Sequence, residues 1–481
     1  MMDEDSRIVL HIELDERSLS ILVQSLFSAW MLAFLFEGQV FYSLAESFGF
    51  APTTTVFCGV AANFGGLLLG GSFAKTKKAA KRLFLYSFLF FIAVSMIFFF
   101  PPSVLWTVGI ITASFMAGSC VAAWGFYLRS GTPKNERIKT VADMLILSNV
   151  LMILLNTVAI HISPRVGLAL SIIPLLGAFA LALRLPANDD EAPSASFEQN
   201  NESFGIARLL VFLCLFIVII TINSGLMYQV INPAFKHLEW LTSWYWAIPY
   251  IVALFVMRNL PQQINRSYIL YVAIAMIGLS FIAFMGLGRS TASYLVINTL
   301  MLGACGVYDL FWWSILGEML ELHKNPARIL GIGLSANVLG VLLGGLIGNA
   351  ITSGSIDSPN PTLLALTVVC VTLVLLPPLH KHLSSLLKGH AYLSVFAEMS
   401  SQEQTHQVDR FARFGGLSDR EKQVATLLLQ GKTYKRIAAE LYISENTVKY
   451  YVKNIYSKLN IQSRSELIDI MLEEEAAVQS R

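Results

Sequence analysis

Twelve long apolar stretches constrain the fold of this chain more than any other feature. Each has about 20 mostly apolar residues, the length that an α-helix needs to cross the hydrocarbon core of a bilayer. We number them spans one to twelve, and they lie at residues 19–43, 53–73, 83–101, 103–126, 140–161, 166–184, 206–227, 241–257, 268–287, 293–317, 329–350 and 361–379. The pattern predicts a body of membrane-spanning helices.

Charged residues are concentrated at the C-terminal end of the chain. Hydrophobic residues make up 55% of the 481 positions, charged residues 14%, and the mean hydropathy is +0.61. Residues 407–481 hold 22 of the 66 charges, about 29% of their positions, whereas the first 406 residues are about 11% charged. Globular chains average about 25%. This distribution excludes a soluble enzyme, a disordered chain and a small disulfide scaffold. It predicts a membrane body followed by one small water-soluble domain.

The loops between the spans differ in their content of basic residues. If the N-terminus lies inside, the cytoplasmic loops hold fifteen Lys or Arg residues and the outer loops hold Arg165, Lys236 and Arg289. Cytoplasmic loops carry an excess of Lys and Arg in most membrane proteins. We therefore expect both termini to lie in the cytoplasm.

A polar stretch at residues 186–205 divides the spans into two groups of six. With this arrangement, residues 19–380 resemble the major facilitator superfamily, whose two six-helix halves are joined by a cytoplasmic loop. The resemblance implies an all-α, polytopic membrane fold. The family motif between spans two and three is not matched, because Lys75 stands at its acidic position and Lys78 at its second glycine. That departure weakens a transport interpretation more than it weakens the fold.

Glycines recur at four-residue spacing in two of the spans. Gly66 and Gly70 lie in span two, and Gly340, Gly344 and Gly348 lie in span eleven. Small residues at this spacing allow two helices to approach closely within a membrane. The resemblance to the superfamily implies that these two spans meet across the two halves.

Ionisable and amide side chains within the spans are candidates for a ligand site, because they are costly in hydrocarbon. Glu37 lies in span one, Asn223 in span seven and Asp309 in span ten. The resemblance places these three spans around a central cavity. We expect a pocket for a cationic or polyhydroxylated small molecule, with Trp312, Trp313 or Tyr308 as a stacking surface. A hydrogen bond that packs helices, or a carboxyl group kept neutral by its surroundings, would explain the same residues.

Residues 417–470 carry the start signals of four short helices. Ser418 and Glu421 form a capping box, in which the serine accepts an early helical N–H and the glutamate reaches back to the serine. Ser444 can cap the third helix, and Ser463 begins a second capping box that opens the fourth. The apolar residues of the third helix recur at helical spacing and predict a buried stripe of Val448, Val452, Ile455 and Leu459.

The opposite face of the third helix carries side chains suited to nucleic acid. Thr447, Lys449, Tyr450, Lys453 and Asn454 can bond to phosphates and to base edges in a major groove. Two helices joined by a tight turn form a helix-turn-helix arrangement. The local net charge of +4, from nine Lys/Arg and five Asp/Glu at positions 417–468, has the sign that binding to phosphates requires. By itself the pattern is equally typical of a solvated amphipathic helix.

The whole C-terminal run decides between these interpretations, because it closely resembles the LuxR-type DNA-binding domain over about 55 residues. The segments that carry the resemblance, in the order and spacing of the family, are Leu417-Ser418-x-Arg420-Glu421, Gly431-Lys432-Thr433, Ile437-Ala438, Leu441-x-Ile443-Ser444, Thr447-Val448-Lys449, Lys458-Leu459 and Ser463-Arg464-x-Glu466-Leu467. The resemblance implies a bacterial transcription regulator that binds promoter DNA.

The LuxR resemblance also implies roles for individual residues. It places Lys449, Tyr450 and Lys453 at the base-reading surface, and Tyr451 where many members have histidine. The residues implied to lie near phosphates are Lys435, Ser444, Thr447 and Asn454. The fourth helix resembles the surface through which such domains pair on two-fold DNA sites, and the residues implied there are Leu467, Ile468 and Met471.

Taken together, these patterns predict a membrane-integral one-component regulator in the bacterial inner membrane. The expected parts are a cytoplasmic N-terminal segment (1–18), two membrane halves (19–185 and 206–380), a loop between them (186–205), a polar tether (381–416) and a LuxR-type domain (417–475). A secondary transporter with an appended DNA-binding reporter domain is the alternative. The sequence shows no phosphate-binding glycine loop, nucleophile elbow or metal-ligand spacing, so we predict no catalytic residues, cofactor or metal site.

Overall fold

The computed structural model divides the chain into two compact units, one of residues 1–190 and 213–375 and one of residues 191–212 and 376–481. We call the first the membrane unit and the second the C-terminal unit. The structure describes residues 15–36, 38–133, 136–188, 202–260, 266–320, 323–352, 363–378, 396, 399–400, 402–404, 407–409, 416–430, 432, 434–461, 466–468 and 470–471. All the regular elements within these ranges are helical, which confirms the predicted fold class.

The first six predicted spans are confirmed as helices, and three of them begin at a residue whose side chain caps the helix. Thr76 and Ser103, for example, accept backbone N–H bonds at the starts of α4 and α5. The helices are α1 (Glu16–Trp30), α2 (Gln39–Ser47), α3 (Thr53–Phe73), α4 (Lys77–Ile97), α5 (Val104–Ala123), α6 (Gly125–Ser130), α7 (Arg137–His161) and α8 (Pro164–Ala182).

The remaining apolar segments are helical as well. The longer helices are α9 (Glu202–Leu226), α10 (Ile248–Arg258), α11 (Arg266–Gly286), α12 (Thr291–Met319), α13 (Pro326–Thr352) and α14 (Leu363–Pro378). Short helical turns at Asn232–Ala234, Lys236–Leu238, Glu239–Thr242 and Tyr245–Ala247 lead from α9 towards α10.

Ten helical segments within the described residues are long and apolar enough to cross a membrane. The two other predicted spans correspond to shorter apolar helices, Tyr245–Arg258 for span eight and Leu363–Pro378 for span twelve. A helix of n residues is about 1.5n Å long, so these two are short for a bilayer. The count of twelve spans therefore stays a prediction.

Span one is interrupted, and its break depends on a glycine. After α1 the chain forms a π-helical segment, Met31–Leu35, and α2 begins only at Gln39. The backbone at Gly38 packs directly against the π-helical segment, and a Cβ there would collide with the carbonyl of Ala33. Only glycine fits this close approach. Span seven ends in a π-helical segment too, Met227–Ile231. The first span of each predicted half thus departs from regular α-helix.

The predicted glycine faces make close helix contacts, but within each half. A Cβ at Gly66 would collide with the carbonyl of Phe115 in α5, and a Cβ at Gly344 would collide with that of Ile222 in α9. The predicted close approach is therefore confirmed, and the helices that these glycines meet belong to their own half. Spacing predicts a face for close approach, but it does not specify which neighbouring helix fills it.

Spans two and eleven do pack together, through two other glycines. A Cβ at Gly71 would lie 2.6 Å from the Cα of Arg328, and one at Gly331 would collide with the carbonyl of Leu67. The side-chain amide of Asn325 also donates to the carbonyl of Gly71, at 2.6 Å. These contacts join the two halves of the membrane unit.

Two arginines form further bonds between the halves. Arg258 at the end of α10 pairs with Asp143 in α7, with Nη2 3.1 Å from Oδ2. Arg137 at the start of α7 donates to the carbonyl of Gly317 in α12, at 2.8 Å. The sequence reasoning missed the Asp143–Arg258 pair because its partners lie 115 positions apart.

We predict that Gly344→Ala lowers the stability of the membrane unit by roughly 1–3 kcal/mol, a typical cost of overpacking, because the added methyl group collides with the backbone of α9. Gly345→Ala is the matched control, since no described atom lies within 4 Å of its Cβ position. Thermal unfolding of the detergent-solubilised protein measures both. Equal midpoints for the two variants would contradict the packing described here.

Candidate nucleic-acid interface and membrane site

The candidate nucleic-acid interface is built on three helices: α15 (Asp419–Leu429), α16 (Tyr434–Leu441) and α17 (Glu445–Lys458). We call residues 416–471 the reader. Ser418 and Glu421 form the predicted capping box at the start of α15, with the Ser418 N–H donating to Glu421 at 2.7 Å. The box fixes where α15 begins by satisfying backbone groups that the first turn leaves free.

The apolar stripe of α17 faces the core of the C-terminal unit, as predicted. Val448 and Ile455 are fully buried and Val452 is 4% exposed, while Leu459 packs against the same cluster. Val424 and Leu428 of α15 complete the contact. Because this stripe fixes the rotation of α17, the opposite side of the helix must face outward.

The N-terminus of α17 is tied together by two of the predicted phosphate-binding residues. The Ser444 hydroxyl accepts the N–H of Thr447 at 3.1 Å, and the two hydroxyls share a hydrogen bond of 2.7 Å. Such a terminus presents free N–H groups and the positive end of the helix dipole, which favours an anion.

The predicted base-reading residues share the outward side of α17. Tyr450 is 62% exposed, and both Lys449 and Lys453 are exposed. Lys449 also forms an ion pair with Glu445, at 3.2 Å, one turn earlier. Asn454 is half-buried, and the side chain of Lys435 lies outside the described residues.

An open cavity of about 420 Å³ lies beside this surface. Its walls come from the start of α16, from one side of α17 and from the segment after it. The lining residues are Tyr434, Lys449, Val452, Lys453, Tyr456, Ser457 and Ile461. The two lysines therefore stand at the edge of a concave surface with an apolar floor.

The apolar side chains of the fourth helix are buried against the rest of their own domain. Leu467 is fully buried, and Ile468 and Met471 are only 3% and 4% exposed, in the same cluster as α15 and α17. The prediction that these three side chains form a pairing surface is therefore corrected. An apolar stripe indicates that a helix face is covered, but it does not show whether its own domain or a second copy covers it.

The reader core includes residues from the predicted tether. Phe396 is fully buried and Val408 is 2% exposed, both in the apolar cluster of the reader. The Gln404 amide donates to the carbonyl of Phe396 at 2.8 Å, and the Gln430 amide donates to Gln404 at 2.6 Å. Sequence reasoning missed these contacts, although the apolar Phe396 in a polar stretch was a signal.

An ion pair between an exposed lysine and a buried glutamate joins the start of α15 to the end of α17. Lys458, at the end of α17, donates to Glu421 at 2.6 Å, and the Glu421 side chain is only 5% exposed. Burial acts to raise the pKa of Glu421. The hydrogen bonds from Lys458 and Ser418 outweigh it and hold that pKa below its ordinary value.

The candidate ligand site in the membrane unit centres on α12. Asp309 accepts a hydrogen bond from the hydroxyl of Tyr250 in α10, at 2.9 Å. The neighbouring residue of α12 makes a second polar contact: the Tyr308 hydroxyl lies 2.6 Å from Ser224 Oγ in α9. Trp312 stacks on Tyr308 with ring centroids 4.8 Å apart. Predicted residues Asp309 and Trp312 therefore lie within one polar cluster, whereas Tyr250 and Ser224 were missed.

Two buried polar groups beside this cluster have no hydrogen-bond partner among the described residues. Neither atom of the Asn223 amide is bonded, although Asn223 is 1% exposed. The indole N–H of the fully buried Trp312 is likewise unbonded within the part of the chain that the structure describes. Buried polar groups without partners are rare and costly, so each needs an explanation. The third predicted residue, Glu37, lies outside the described residues.

Comparison with known proteins agrees with the geometry of the reader. The model of the family described as bacterial regulatory proteins, luxR family, matches residues 416–471. The spore germination protein GerE of Bacillus subtilis is 46% identical over 52 residues, which are 11% of this chain and 70% of that protein. The chain belongs to the LuxR family of bacterial regulatory proteins through this C-terminal domain.

Other relatives match over the same short region. An HTH-type transcriptional regulator of Aeromonas salmonicida is 49% identical over 63 residues, 13% of this chain and 32% of that protein. The chain thus spans about a third of the length of this relative. The likeness supports the DNA-binding domain alone.

The membrane unit has a likeness of fold to a solved transporter. A variant of the fucose:proton symporter FucP of E. coli matches 75% of this chain and 98% of its own length, with a TM-score of 0.50 and 15% identity. The membrane unit therefore has a fold like that of this transporter, as the resemblance predicted, and its many apolar helices are those of a multi-pass membrane protein.

We predict that acid weakens the reader through Glu421. Because its pKa is lowered by folding, its contribution to stability is complete above the unfolded pKa of about 4.3 and is lost as the pH falls through the folded value. Glu421→Gln should cost roughly 1–2 kcal/mol at pH 7 and flatten this acid dependence. Hydrogen exchange of reader amides in the full-length protein, from pH 7 down to pH 3.5, measures the effect. Parallel curves for variant and wild type would contradict it.

Proposed function

We propose that this protein is a membrane-integral one-component transcription regulator. The membrane unit binds a small molecule, and the reader binds promoter DNA on the cytoplasmic side of the bacterial inner membrane. The observation that carries the proposal is the outward face of α17, where Lys449, Tyr450 and Lys453 stand exposed on a LuxR-family fold. The same chain contains ten described helical segments long and apolar enough to cross a membrane, and the proposal makes this unit the sensor.

On DNA, α17 would enter the major groove by its N-terminal end. Recognition helices of helix-turn-helix proteins contact base edges with residues near that end. Lys449 and Lys453 can donate to guanine, and Tyr450 offers a ring and a hydroxyl between them. Ser444 and Thr447 at the helix start, with Lys435 and Asn454, would contact phosphates and set the register.

We propose that two readers bind together on a two-fold site. Helix-turn-helix dimers match the symmetry of their operators, with half-sites about one helical turn apart. The fourth helix would provide the pairing surface through its outer side, since its apolar residues Leu467, Ile468 and Met471 are used within the reader core.

The proposed ligand site is the polar cluster around Asp309 in the membrane unit. A ligand with both donors and acceptors would satisfy the unbonded amide of Asn223 and accept from the indole of Trp312. The Asp309 carboxylate would favour a cationic or polyhydroxylated molecule, and Glu37 is proposed as a second carboxylate of the same site. The unbonded Asn223 amide supports a ligand over a simple packing role, because a packing hydrogen bond would have satisfied it.

Signal transfer requires that the ligand bind two arrangements of the membrane unit with different affinity. The contacts between the halves, such as Asp143–Arg258 and Asn325–Gly71, are the bonds that a second arrangement would break. Ligand binding would then shift the membrane unit towards one arrangement. That shift would act through the tether and change how the readers are presented to DNA.

A secondary transporter with a DNA-binding reporter domain is the second candidate, favoured by the transporter-like fold. Fold likeness at 15% identity gives no substrate. The loop after span two lacks the acidic residue of the superfamily motif and has Lys75 in its place. Uptake of a responsive ligand into sealed vesicles under a proton gradient would favour this second function over the sensor.

We predict that Lys453→Ala weakens binding to promoter fragments about tenfold and relaxes base preference, since a base contact is worth about 1–3 kcal/mol. Lys435→Ala should weaken binding to all sequences alike and reduce the salt dependence by about one counterion, as expected of a phosphate contact. Gel-shift titrations of fragments recovered with the wild-type protein measure both. Equal losses on specific and random fragments for Lys453→Ala would argue against base reading.

We predict that Asp309→Asn, alone or with Glu37→Gln, abolishes the transcriptional response to the ligand and leaves protein level and DNA affinity intact. Transcript profiling of a deletion strain identifies the regulated operon and hence the ligand class to be tested. A reporter fused to that operon then measures each variant, with Asn223→Ala as a third. A response that survives in the double variant would remove the cluster as the ligand site.

A further inference from the structure

The turn between α16 and α17 contains a backbone feature that the family resemblance leaves unexplained. The N–H of Ile443 donates to the carbonyl of Ala438 at 3.0 Å, which closes the end of α16 and places Tyr442 at φ +55°. The end of α17 closes in the same way, through Ile461 and Tyr456 at 2.9 Å, with Asn460 at φ +55°. Within the described residues, these two are the non-glycine positions with positive φ.

The two helix ends meet the same requirement with different residues. A left-handed residue after a helix is usually glycine and sometimes asparagine, because other side chains crowd their own backbone there. Asn460 follows this preference, and Tyr442 does not. Local backbone geometry therefore does not account for the tyrosine.

Packing within the chain does not account for it either. Tyr442 is 94% exposed, the largest exposed fraction among the exposed large hydrophobic side chains of the described residues. Asparagine would satisfy the backbone better, and the ring adds almost no burial. A bulky residue in a strained backbone conformation and almost fully exposed to solvent is typical of a site that contacts a partner outside the chain.

The location of Tyr442, in the turn before α17, indicates what kind of partner it contacts. It lies two residues before Ser444, which caps the end of α17 that enters the groove. Helix N-termini are among the groups that contact DNA phosphates, and the first helix of the motif crosses the backbone, so the turn between the two helices is expected close to phosphates. Lys449 and Lys453 are exposed on the helix that follows this turn and supply positive charge, and tyrosine hydroxyls are among the groups that donate to phosphate oxygens.

We propose that Tyr442 is a positioning residue that contacts the sugar-phosphate backbone of DNA beside the groove entered by α17. Its hydroxyl donates to a phosphate oxygen, and its ring covers the adjacent sugar. The contact sets the depth and angle of α17 and carries no sequence information. This inference rests on the proposed DNA binding by the reader.

The test uses the full-length protein in nanodiscs and a 30-base-pair duplex of mixed sequence. Tyr442→Asn should raise the thermal midpoint of the reader by about 2–4 °C, because it relieves the strain, and yet weaken duplex binding about five- to tenfold. Tyr442→Phe should weaken binding about threefold through loss of the hydroxyl alone. Asn460→Gly, a change at the matching position of α17, should leave duplex binding unchanged.

Salt dependence separates this contact from that of a lysine. A neutral hydroxyl releases no counterion, so Tyr442→Asn should lower the binding constant equally at every salt concentration. Lys435→Ala, which the proposed function places at a phosphate, should also reduce the slope by about one counterion on the same duplex.

Each other outcome overturns the inference in a distinct way. Unchanged duplex binding by Tyr442→Asn, with Lys435→Ala weakened, overturns it and leaves the proposed function standing. Loss of transcription by Tyr442→Asn with duplex binding intact would assign the side chain to a protein partner instead. A wild-type protein that binds no duplex would overturn both the inference and the proposed function.

Discussion

Close approach of helix backbones is the constraint on which the membrane unit depends. Lipid chains are as apolar as leucine, so helices associate in a bilayer through tight van der Waals contact and hydrogen bonds instead of through burial of apolar surface. Gly66 rests on the carbonyl of Phe115 and Gly344 on that of Ile222, which holds each half together. Gly71 and Gly331 repeat this contact between the halves. Halves packed this closely have few alternative arrangements, and a two-state sensor requires that property.

The reader is a small domain, and small domains bury a lower fraction of their surface than large ones, so the bonds at its helix ends add to the stability that its apolar core provides. The Ser418–Glu421 box and the Glu421–Lys458 pair join the start of α15 to the end of α17. Phe396 and Gln404, from the stretch before the family domain, complete the core. Any change in the tether that withdrew these residues would alter the reader directly, which gives the proposed signal a physical route.

The candidate sites differ in how far the sequence could predict them. Asp309 was found because a carboxylate is rare in an apolar span, but its partner Tyr250 was missed because tyrosine is ordinary there. The outward face of α17 followed from the stripe of Val448, Val452 and Ile455, since a helix fixes which positions share a side. The fourth helix showed the limit of that reasoning. Its apolar side chains are buried, but in the core of their own domain and not against a second copy.

The sequence by itself determined the helical class, the family of the reader, the helix starts at Ser418 and Ser444 and the outward face of α17. These depend on neighbours within a few positions, where hydrogen bonding and helical period act locally. Only the tertiary structure decided which helices the glycine faces meet, that Asp143 pairs with Arg258, and that Phe396 joins the reader core. Those contacts link residues distant in sequence, and their geometry exists only once the helices have packed.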